Sequence, residues 1–381
     1  MLCILAERTV CHSSREAPMI TEASLTVAGL RARAVNVRLD RPVQTSGGEI
    51  PTAPLVLVDL ETREGVTGRS YVWSYTPLAL EPLRRLVENI GATLEGDALA
   101  PLEIERKLQA TFRLLGPQGL TGIAASGIDM AAWDTLARAH ELPLAELLGG
   151  EKKRVPAYGS LRTMHRERVT EEVLELAELG FDAYKVKIGH GDVKADLEAI
   201  NTLRGVIGDD PLLAVDYNQS LSVTEALERV RVLDDQGLYW IEEPTRADDF
   251  AGHARIAREA RTPIQIGENW WGPHDVQKSL KAGACDYGMP DAMKIGGVTG
   301  WLRTAALAEP VGLPLTSHIF PEVSVHLLAV SPTAHRLEYL DTASSILKEP
   351  VRIEGGYALV PDGPGIGLEW DEEAVSRFLI R

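Results

Sequence analysis

The chain has 381 residues, of which 45% are hydrophobic and 25% are charged, a balance typical of a folded protein with two domains or an α/β barrel with an additional domain. Its net charge of −16 argues against partners that attract clustered lysine and arginine, namely nucleic acid and anionic membrane surfaces. Its apolar runs are shorter than the roughly 18–20 residues of a membrane span.

The N-terminal residues 1–18 are polar and aperiodic, and a strand-like alternation follows Met19 directly. We therefore expect Met19 to be the natural start and residues 1–18 to form a disordered extension. The cysteines, Cys3, Cys11 and Cys285, have neither the pattern of a disulfide framework nor the spacing of a metal site, which favours a reducing cytoplasm as the location.

Residues 19–148 are predicted to form an α+β domain. Alternating, β-rich patterns at Leu30–Leu39 and Ala53–Leu60 predict strands, and the glycine-containing stretch Pro42–Pro51 between them predicts a flexible loop. Helical periodicity then extends from about Leu78 to Leu148.

A repeating strand–helix pattern follows. Short apolar segments alternate with amphipathic helical stretches, which predicts a parallel α/β barrel over residues 149–345. Residues 346–381 carry strand and turn patterns again and are predicted to fold back onto the first domain. The predicted barrel strands are Val155–Leu161, Tyr184–Ile188, Leu212–Asp216, Tyr239–Glu242, Ile264–Gly267, Asp286–Met289, Leu315–His318 and Arg336–Leu340.

Ionisable side chains recur near the carboxyl ends of these strands, at intervals of between 20 and 29 residues from Lys187 onward. This interval corresponds to one strand–helix unit, so a parallel barrel gathers the side chains at one mouth, the face where barrel active sites lie. They are Lys185, Lys187, Asp216, Glu242, Glu268, Asp291, His318 and Glu338.

Lys185 and Lys187 lie on one face of their strand, because side chains alternate along a strand. If that face is the barrel interior, like charge and burial both lower the pKa of each lysine, so that a neutral lysine can act as a general base near pH 7. The alternative is a solvent-exposed edge strand.

Asp216, Glu242 and Glu268 end three successive strands, and three converging carboxylates imply a cation between them. Oxygen ligands favour a hard divalent ion, which predicts Mg²⁺, with Mn²⁺ as the alternative. Asn218 lies on the same face as Asp216 and is a candidate polar ligand of the substrate. The alternative is a purely structural role, in which each acid caps the helix that follows it.

Asp291 and His318 end adjacent strands, so the carboxylate can orient the imidazole and raise its basicity. This pairing favours His318 as a second acid/base residue over a purely structural histidine. Glu338 has no evident charged partner. If it is buried, it can stay protonated and donate a hydrogen bond to a developing oxyanion.

Together these residues predict a site for a small anionic carboxylate. The substrate carboxylate would bind the metal and Lys185, and the α-proton becomes acidic because the metal, Lys185 and Glu338 hold the charge of the resulting enediolate. The predicted reaction class is proton abstraction α to a carboxylate.

Longer motifs surround these residues: Ala125–Asp134, Lys185–Lys187, Val215–Ser220, Trp240–Pro244, Gly267–Trp270, Met289–Gly300 and Ser317–His318. In these motifs the sequence closely resembles the enolase superfamily, specifically its mandelate racemase subgroup, across nearly the whole chain from about Met19. The resemblance implies a modified, (β/α)7β-like TIM barrel with an N-terminal α+β capping domain, in which Pro42–Pro51 covers the substrate. It also implies a homo-oligomer, often an octamer.

For individual residues the resemblance implies roles that agree with the reading above. Lys187 and His318 would be the acid/base residues on opposite faces of the substrate, and Asp291 would support His318. Lys185 would bind the carboxylate, and Glu338 would be the electrophilic acid. The implied metal ligands are Asp216, Glu242 and Glu268.

Two overall reactions fit this machinery, racemisation of mandelate or a similar 2-hydroxy acid and dehydration of an acid sugar. An apolar lining of the kind that favours an aryl side chain, and so racemisation, is predicted at Val43, Ile50, Tyr75, Ile319 and Leu340. The segment with Ser160, a candidate substrate contact, and Arg162, which could hold a distal carboxylate, departs from the racemase pattern. A binder of small carboxylates without activity is disfavoured, because every acid/base residue is present.

Overall fold

The structure, a computed structural model, describes residues 25–45, 48–163 and 166–380, the last range without the side chains of residues 166 and 167. The extension predicted at residues 1–18 lies outside these residues. Within the described ranges, no helix is long and apolar enough to cross a membrane.

The N-terminal part is an antiparallel sheet with helices packed on it, as the α+β prediction required. The strands pair in the order β1–β2–β3, so the first strand in the chain lies at an edge of the sheet. The strands are β1 (Val27–Thr45), β2 (Gly48–Thr62) and β3 (Thr67–Trp73), and the helices are α1 (Pro77–Leu94), α2 (Pro101–Thr111), α3 (Leu120–Ala139) and α4 (Leu144–Leu147).

Helix α3 lies unusually close to β3. A Cβ atom on Gly68 would stand 2.4 Å from the carbonyl oxygen of Ala131 and would also collide with Thr135, so only glycine allows this approach. One turn of α3 is fixed to the same strand, because the backbone N–H of Arg69 donates to Asp134 at 2.7 Å. The glycine on β3 and the contact with Asp134 therefore hold the capping sheet and α3 closely packed against each other.

The prediction of a flexible loop at Pro42–Pro51 is wrong. In the described residues of this stretch the ladder continues, with Val43 opposite Ile50, and the two strands form a long hairpin. The register is interrupted between Arg38 and Val43, and both Pro42 and Pro51 lie in this irregular part of the ladder. Their missing N–H groups therefore remove few hydrogen bonds between the strands. The backbone N–H of Gln44 donates to the carbonyl of Arg162 at 2.8 Å, which places the hairpin tip beside the end of the first barrel strand.

The second part is the predicted barrel, whose strands β4 to β9 pair in parallel in chain order, while β10 pairs with β4. Its elements in chain order are β4 (Arg154–Ser160), α5 (Arg166–Glu178), β5 (Ala183–Lys187), α6 (Val193–Ile207), β6 (Leu212–Asp216), α7 (Val223–Leu233), β7 (Ile241–Glu242), α8 (Phe250–Glu259), β8 (Ile264–Ile266), α9 (Pro273–Ala282), β9 (Tyr287–Gly288), α10 (Gly297–Ala308), α11 (Pro321–Val330) and β10 (Leu337–Tyr339).

One predicted barrel strand is not a regular strand. Residues 315–318 join their neighbours only through isolated bridges, from Leu315 to Gly288 and to Ala334 and from His318 to Asp291. The segment nevertheless closes the ring at its seventh position, because the backbone N–H of each residue from 315 to 318 donates to a carbonyl of a neighbouring segment. The backbone then turns at once into the left-handed region at Ile319, where φ is 36°.

Aromatic side chains fill the barrel below the mouth. Tyr158 and Trp240 meet edge to face with ring centroids 5.3 Å apart, and Tyr287 stacks on His335 at 5.1 Å. Small residues on β5 and β6, such as Ala183, leave room for these rings. The interior is therefore a packed floor rather than a pore, and the polar side chains above it stand on that floor.

The C-terminal segment visits both parts of the molecule. Strands β11 (Ile353–Glu354) and β12 (Tyr357–Leu359) form a hairpin on the edge of β4, and helix α12 (Glu372–Phe378) then packs on β1. The Trp370 indole donates to Asp59 at 2.6 Å, and the backbone N–H of Ile380 donates to the carbonyl of Ala34 at 2.9 Å.

The capping part is seated on the barrel mouth by buried polar contacts. The Tyr71 hydroxyl on β3 donates to Glu322 at the start of α11 at 2.6 Å, and Asp129 on α3 accepts from the backbone N–H of Thr299 at 3.0 Å. Burial raises the pKa of Glu322 to about 7, although the hydrogen bond from Tyr71 opposes this shift.

This raised pKa makes the stability of the docked structure depend on pH. Between its ordinary value of 4.5 and about 7, the unfolded chain releases a proton that folded Glu322 retains, so this group reduces stability as pH rises through that window. We expect Glu322→Gln to gain stability relative to wild type between pH 4 and pH 8, by up to about 3 kcal/mol. Urea unfolding at several pH values measures the difference. The exposed Glu103→Gln is the control, and a pH-independent difference for Glu322→Gln would contradict the assignment.

Candidate active site

The ionisable residues predicted at the strand ends all lie buried at one end of the barrel. β5 lies between β4 and β6, so Lys185 and Lys187 project from a central strand into the interior, and the edge-strand alternative does not apply. Glu242 ends β7, and Glu268 follows β8 by two residues.

Each lysine of β5 contacts a different set of acceptors. The Lys185 ammonium lies 2.6 Å from Glu242 and 2.7 Å from Glu338. The Lys187 ammonium lies 2.8 Å from Asp216 and 3.0 Å from the side-chain oxygen of Asn218. Asp216 also lies 3.7 Å from the Lys185 ammonium, so the two lysines share this carboxylate while their shortest contacts are to different residues.

The expected lowering of the lysine pKa values is not what this geometry gives. Burial alone lowers the pKa of Lys187, and the charge of Lys185 lowers it further, but Asp216 at 2.8 Å and Glu268 together outweigh both, so the pKa is raised. The pKa of Lys185 is raised well above its ordinary value for the same reason, through Glu242 and Glu338. The spacing of Lys185 and Lys187 along one strand shows that two positive charges lie close together. It does not show the carboxylates on neighbouring strands, which determine the direction of the shift.

Asp216, Glu242 and Glu268 form a compact buried cluster. Each offers a carboxylate oxygen, and these oxygens all lie within 4.8 Å of one another. Burial raises the pKa of Glu242 to about 8, with Asp216 adding to that shift and Lys185 opposing it. Three close carboxylate oxygens with no soft ligand among them fit a hard divalent cation.

The balance of charge leads to the same conclusion. Among the residues that the structure describes, the hydrogen-bonded network of this mouth contains six buried carboxylates, against three buried lysines and His318, whose pKa is raised. A divalent cation removes most of that excess negative charge, which otherwise makes the cluster costly to bury. The carboxylates are Asp216, Glu242, Glu243, Glu268, Asp291 and Glu338, and the lysines are Lys185, Lys187 and Lys294.

His318 lies between two carboxylates. Its Nδ1 is 2.6 Å from Asp291 and its Nε2 is 3.2 Å from Glu268. Burial alone lowers the pKa of His318, but Glu268 and Asp291 outweigh it, so the pKa is raised. The backbone N–H groups of Met293 and Lys294 donate to the other oxygen of Asp291, which holds this carboxylate toward the imidazole.

Glu338 differs from its prediction as a carboxyl without a charged partner. Its carboxylate contacts Lys185 at 2.7 Å and accepts from the backbone N–H of Ile319 at 3.0 Å. Burial alone raises the pKa of Glu338, but Lys185 and His318 lower it to about 2, so the group is ionised in this structure. The sequence could not show this contact because the two residues lie on strands from opposite ends of the barrel sequence.

The predicted apolar lining comes from both parts of the molecule. Val43 and Ile50 face each other on the hairpin over the end of β4, and Ile319 follows His318 directly. Tyr75, just past β3, stacks on Trp73 with centroids 4.7 Å apart. Leu340 is buried at the end of β10.

Two polar residues lie at the end of β4. The Ser160 hydroxyl is buried and has no hydrogen-bond partner among the described residues. Arg162 donates through its guanidinium to the carbonyl of Asp341 and through its backbone N–H to Glu172 at 2.9 Å. In this structure the guanidinium of Arg162 is therefore engaged by the backbone after β10.

Several residues that complete the site were not singled out from the sequence. The Trp240 indole and the Gln265 amide donate to Glu242 at 3.1 and 2.9 Å. Asn269 donates to Glu243 at 2.9 Å and accepts from Lys294 at 2.6 Å. All of these residues except Gln265 lie within the sequence motifs described above. Their position next to predicted site residues was therefore the feature of the sequence that could have identified them.

The backbone is strained at several points around this mouth. Asn218, Glu243, Ile319 and Tyr75 have φ between 36° and 58°, a region that residues other than glycine rarely adopt. Such conformations persist only where surrounding contacts hold them, and they concentrate at functional sites. This clustering independently marks the mouth as the functional end of the barrel.

Comparison with known families agrees with this geometry. Residues 27–149 match the family model described as mandelate racemase / muconate lactonizing enzyme, N-terminal domain, and residues 168–374 match that of the enolase C-terminal domain-like family. The chain belongs to the enolase superfamily. Within it, the mandelate racemase subgroup predicted from the motifs is confirmed.

Two curated relatives of the chain are named as cycloisomerases. The chain is 32% identical to 3,6-anhydro-alpha-L-galactonate cycloisomerase of Streptomyces coelicolor, over 89% of this chain and 95% of the relative. It is 30% identical to D-galactarolactone cycloisomerase of Agrobacterium fabrum, over 93% of this chain and 99% of the relative.

Solved structures of the superfamily include two different ligands. An enolase from Bradyrhizobium complexed with magnesium and mandelic acid is 46% identical, with a TM-score of 0.90, covering 94% of this chain and 99% of that one. L-talarate dehydratase from Polaromonas, complexed with magnesium and L-glucarate, is 28% identical, with a TM-score of 0.87, covering 94% and 98%. The magnesium in both agrees with the cofactor that the carboxylate cluster predicts.

Removing one cluster carboxylate should abolish tight metal binding. We expect Glu268→Gln, which keeps the shape but not the charge, to weaken Mg²⁺ binding by at least about 100-fold, since changes to groups that only orient a ligand already cost about 10–100-fold. Isothermal titration calorimetry of the substrate-free protein measures this. Asp129→Asn, a buried carboxylate outside the cluster, is the matched control; equal Mg²⁺ affinity in Glu268→Gln and wild type would refute the metal site.

Proposed function

We propose that this protein removes the proton α to the carboxylate of a 2-hydroxy acid and returns a proton to the opposite face, racemising mandelate or a similar aryl hydroxy acid. The observation that carries the proposal is the placement of two proton-transfer groups around one carboxylate cluster. Lys187 belongs to the second and His318 to the seventh position of the ring, so they are three positions apart among eight.

Asp216, Glu242 and Glu268 would hold Mg²⁺, because their oxygens converge within 4.8 Å and carry an excess of negative charge. When bound, Mg²⁺ supplies positive charge beside the substrate carboxylate and Lys187, which lowers the pKa of the α-carbon acid and of the ammonium. Asn218 and Asp216 hold the Lys187 amine through contacts of 3.0 and 2.8 Å, so it is positioned before substrate enters.

Lys185 would bind the substrate carboxylate, since its ammonium lies in the same layer as the cluster and is fully buried. Contact with the substrate carboxylate, in addition to Glu242 and Glu338, would weaken the contact of Lys185 with Glu338, and burial then favours the protonated form of Glu338. A protonated Glu338 can donate a hydrogen bond to the negative charge that develops on the substrate as the α-proton leaves.

His318 would act on the other face of the substrate. Asp291 accepts the proton of Nδ1 at 2.6 Å, which leaves Nε2 as the nitrogen that exchanges a proton with the substrate. Glu268 and Asp291 raise the pKa of His318, which favours the protonated form that can deliver a proton to the substrate.

The apolar residues of the capping hairpin and of the loop after His318 would cover an aryl side chain. Val43, Ile319 and Leu340 are buried, and Tyr75 and Ile50 are half-buried. The mandelic acid bound to the similar enolase from Bradyrhizobium supports a substrate of this size and polarity.

Dehydration of an acid sugar is the second candidate, because one of the similar structures named above is L-talarate dehydratase complexed with L-glucarate. In that reaction Lys187 would take the α-proton and His318 would protonate the departing β-hydroxyl. The buried Ser160 hydroxyl offers a hydrogen bond to a sugar hydroxyl, and Arg162 would have to exchange the Asp341 carbonyl for a distal carboxylate.

Proton NMR in D₂O with Mg²⁺ separates the two reactions. We expect each enantiomer of mandelate to lose its α-proton signal while optical rotation decays to zero. A panel of hexonic and hexaric acids is run in parallel. If mandelate is inert while an acid sugar gives the methylene signals of a 2-keto-3-deoxy product, the dehydratase assignment replaces racemisation.

The two proton-transfer residues are expected to act on different enantiomers of the substrate. We expect Lys187→Arg to block α-proton exchange of one enantiomer and His318→Asn to block exchange of the other, each by more than about 100-fold, the usual contribution of a general base. Mg²⁺ affinity should survive in both. Exposed Lys278→Arg and His274→Asn are the matched controls; full racemisation by Lys187→Arg would exclude the two-base assignment.

A further inference from the structure

Lys294 is a buried lysine to which the proposed chemistry gives no role. It lies in the turn between β9 and α10, three residues after Asp291, and its residue surface is only 8% exposed. Its ammonium donates to the Asn269 side-chain oxygen at 2.6 Å and lies 4.7 Å from the centre of the Tyr75 ring. Burying an ammonium costs free energy because it loses its hydration. One neutral amide and one aromatic face offset only part of that cost.

The contact with Lys294 fixes which way the Asn269 amide points. The amide nitrogen donates to both oxygens of Glu243, at 3.0 and 2.9 Å, and to Glu268 at 3.2 Å. A lysine ammonium can only donate, so the amide oxygen must face it and the amide nitrogen must face the carboxylates. A reversed amide would place its oxygen against two carboxylates and its NH₂ against an ammonium.

The other side of Lys294 contacts the capping part of the molecule. Tyr75 is held in a left-handed conformation, with φ of 58°, and stacks on Trp73 at the end of β3. The backbone N–H of Trp73 lies 3.2 Å from the sulfur of Met293, the residue before Lys294. The end of β3 and the turn that carries Lys294 are therefore packed directly on each other.

We propose that Lys294 is a positioning residue that links the capping sheet to the metal site, holding Asn269, and through it Glu268 and Glu243, in the orientation that binds the cation. This inference rests on the proposed function in one respect, the role of Glu268 as a metal ligand. Groups that orient metal ligands in this way typically contribute about 10–100-fold to metal affinity.

The test is Mg²⁺ affinity measured by calorimetry on the substrate-free protein. We expect Lys294→Met to raise the Kd for Mg²⁺ by about 10-fold or more, because the Asn269 amide loses the charge that orients it. Lys294→Arg should retain most of the affinity, since a guanidinium also only donates and also stacks on aromatic rings. The exposed Lys278→Met on α9 is the matched control.

A second variant tests the same chain of contacts in case Lys294→Met does not fold. Asn269→Ala leaves Lys294 in place but removes the amide, and we expect the same loss of Mg²⁺ affinity. The double variant should be no weaker than either single one, since both residues act through one chain of contacts. Thermal unfolding of each variant identifies loss of affinity that arises from loss of fold.

Turnover gives a second readout that a purely structural role would not produce. In Lys294→Met the Mg²⁺ concentration for half-maximal rate should rise, while kcat at saturating Mg²⁺ changes much less. A folded Lys294→Met with a Kd for Mg²⁺ within a factor of about two of wild type would overturn the inference, since orienting groups contribute more than that.

The outcomes separate this inference from the proposed reaction. Mg²⁺ binding by wild type without turnover of any hydroxy acid would overturn the proposed reaction, while the calorimetric comparison of Lys294→Met still decides the role of Lys294. Absence of Mg²⁺ binding in wild type would overturn both.

Discussion

Mutual repulsion among buried carboxylates is the constraint around which this molecule is arranged. Within the described residues, the three lysines of the mouth offset only half of the six carboxylates there. Neutral donors from the barrel interior, the Trp240 indole and the Gln265 amide, stabilise Glu242 further. A hydrophobic core of the same volume would be more stable, so this cluster is understood through the chemistry it performs rather than through stability.

That electrostatic arrangement depends on a rigid support. The aromatic floor formed by Tyr158, Trp240 and Tyr287 closes the barrel beneath the lysines, so neither ammonium can relax downward into water. Above them, the strained residues Glu243 and Ile319 are held by backbone N–H groups that donate to Gln265 and Glu338 of the barrel. Preorganised charge of this kind needs no rearrangement when the substrate arrives, which is the usual basis of electrostatic catalysis.

Much of the site could be predicted from the sequence because a parallel barrel converts sequence spacing into spatial position. Regular intervals from Lys187 to Glu338 are sufficient to place all the ionisable residues at one mouth, and strand–helix alternation gives the fold. The pattern does not show which side chains touch across the ring. For that reason the sequence predicted a lowered pKa for Lys187 and no charged partner for Glu338, whereas residues from other strands raise the pKa of Lys187 and lower that of Glu338.

Irregular structure limited the prediction in a second way. Glycines and prolines in Pro42–Pro51 have the composition of a loop, yet the prolines lie where the ladder is interrupted and the hairpin forms regardless. Similarly, residues 315–318 have the composition of a strand but make only isolated bridges. The orientation of the Asn269 amide lies beyond any spacing rule, because it depends on a single hydrogen bond from Lys294.

The path of the C-terminal segment has a consequence for biosynthesis. Trp370, Leu379 and Ile380 complete contacts with Asp59 and β1, which were synthesised more than 300 residues earlier. The capping sheet therefore cannot reach its final form on the ribosome until almost the whole chain has emerged, although the barrel strands are complete by Tyr339. Assembly of the catalytic mouth, which needs the cap, is accordingly among the last events of folding rather than among the first.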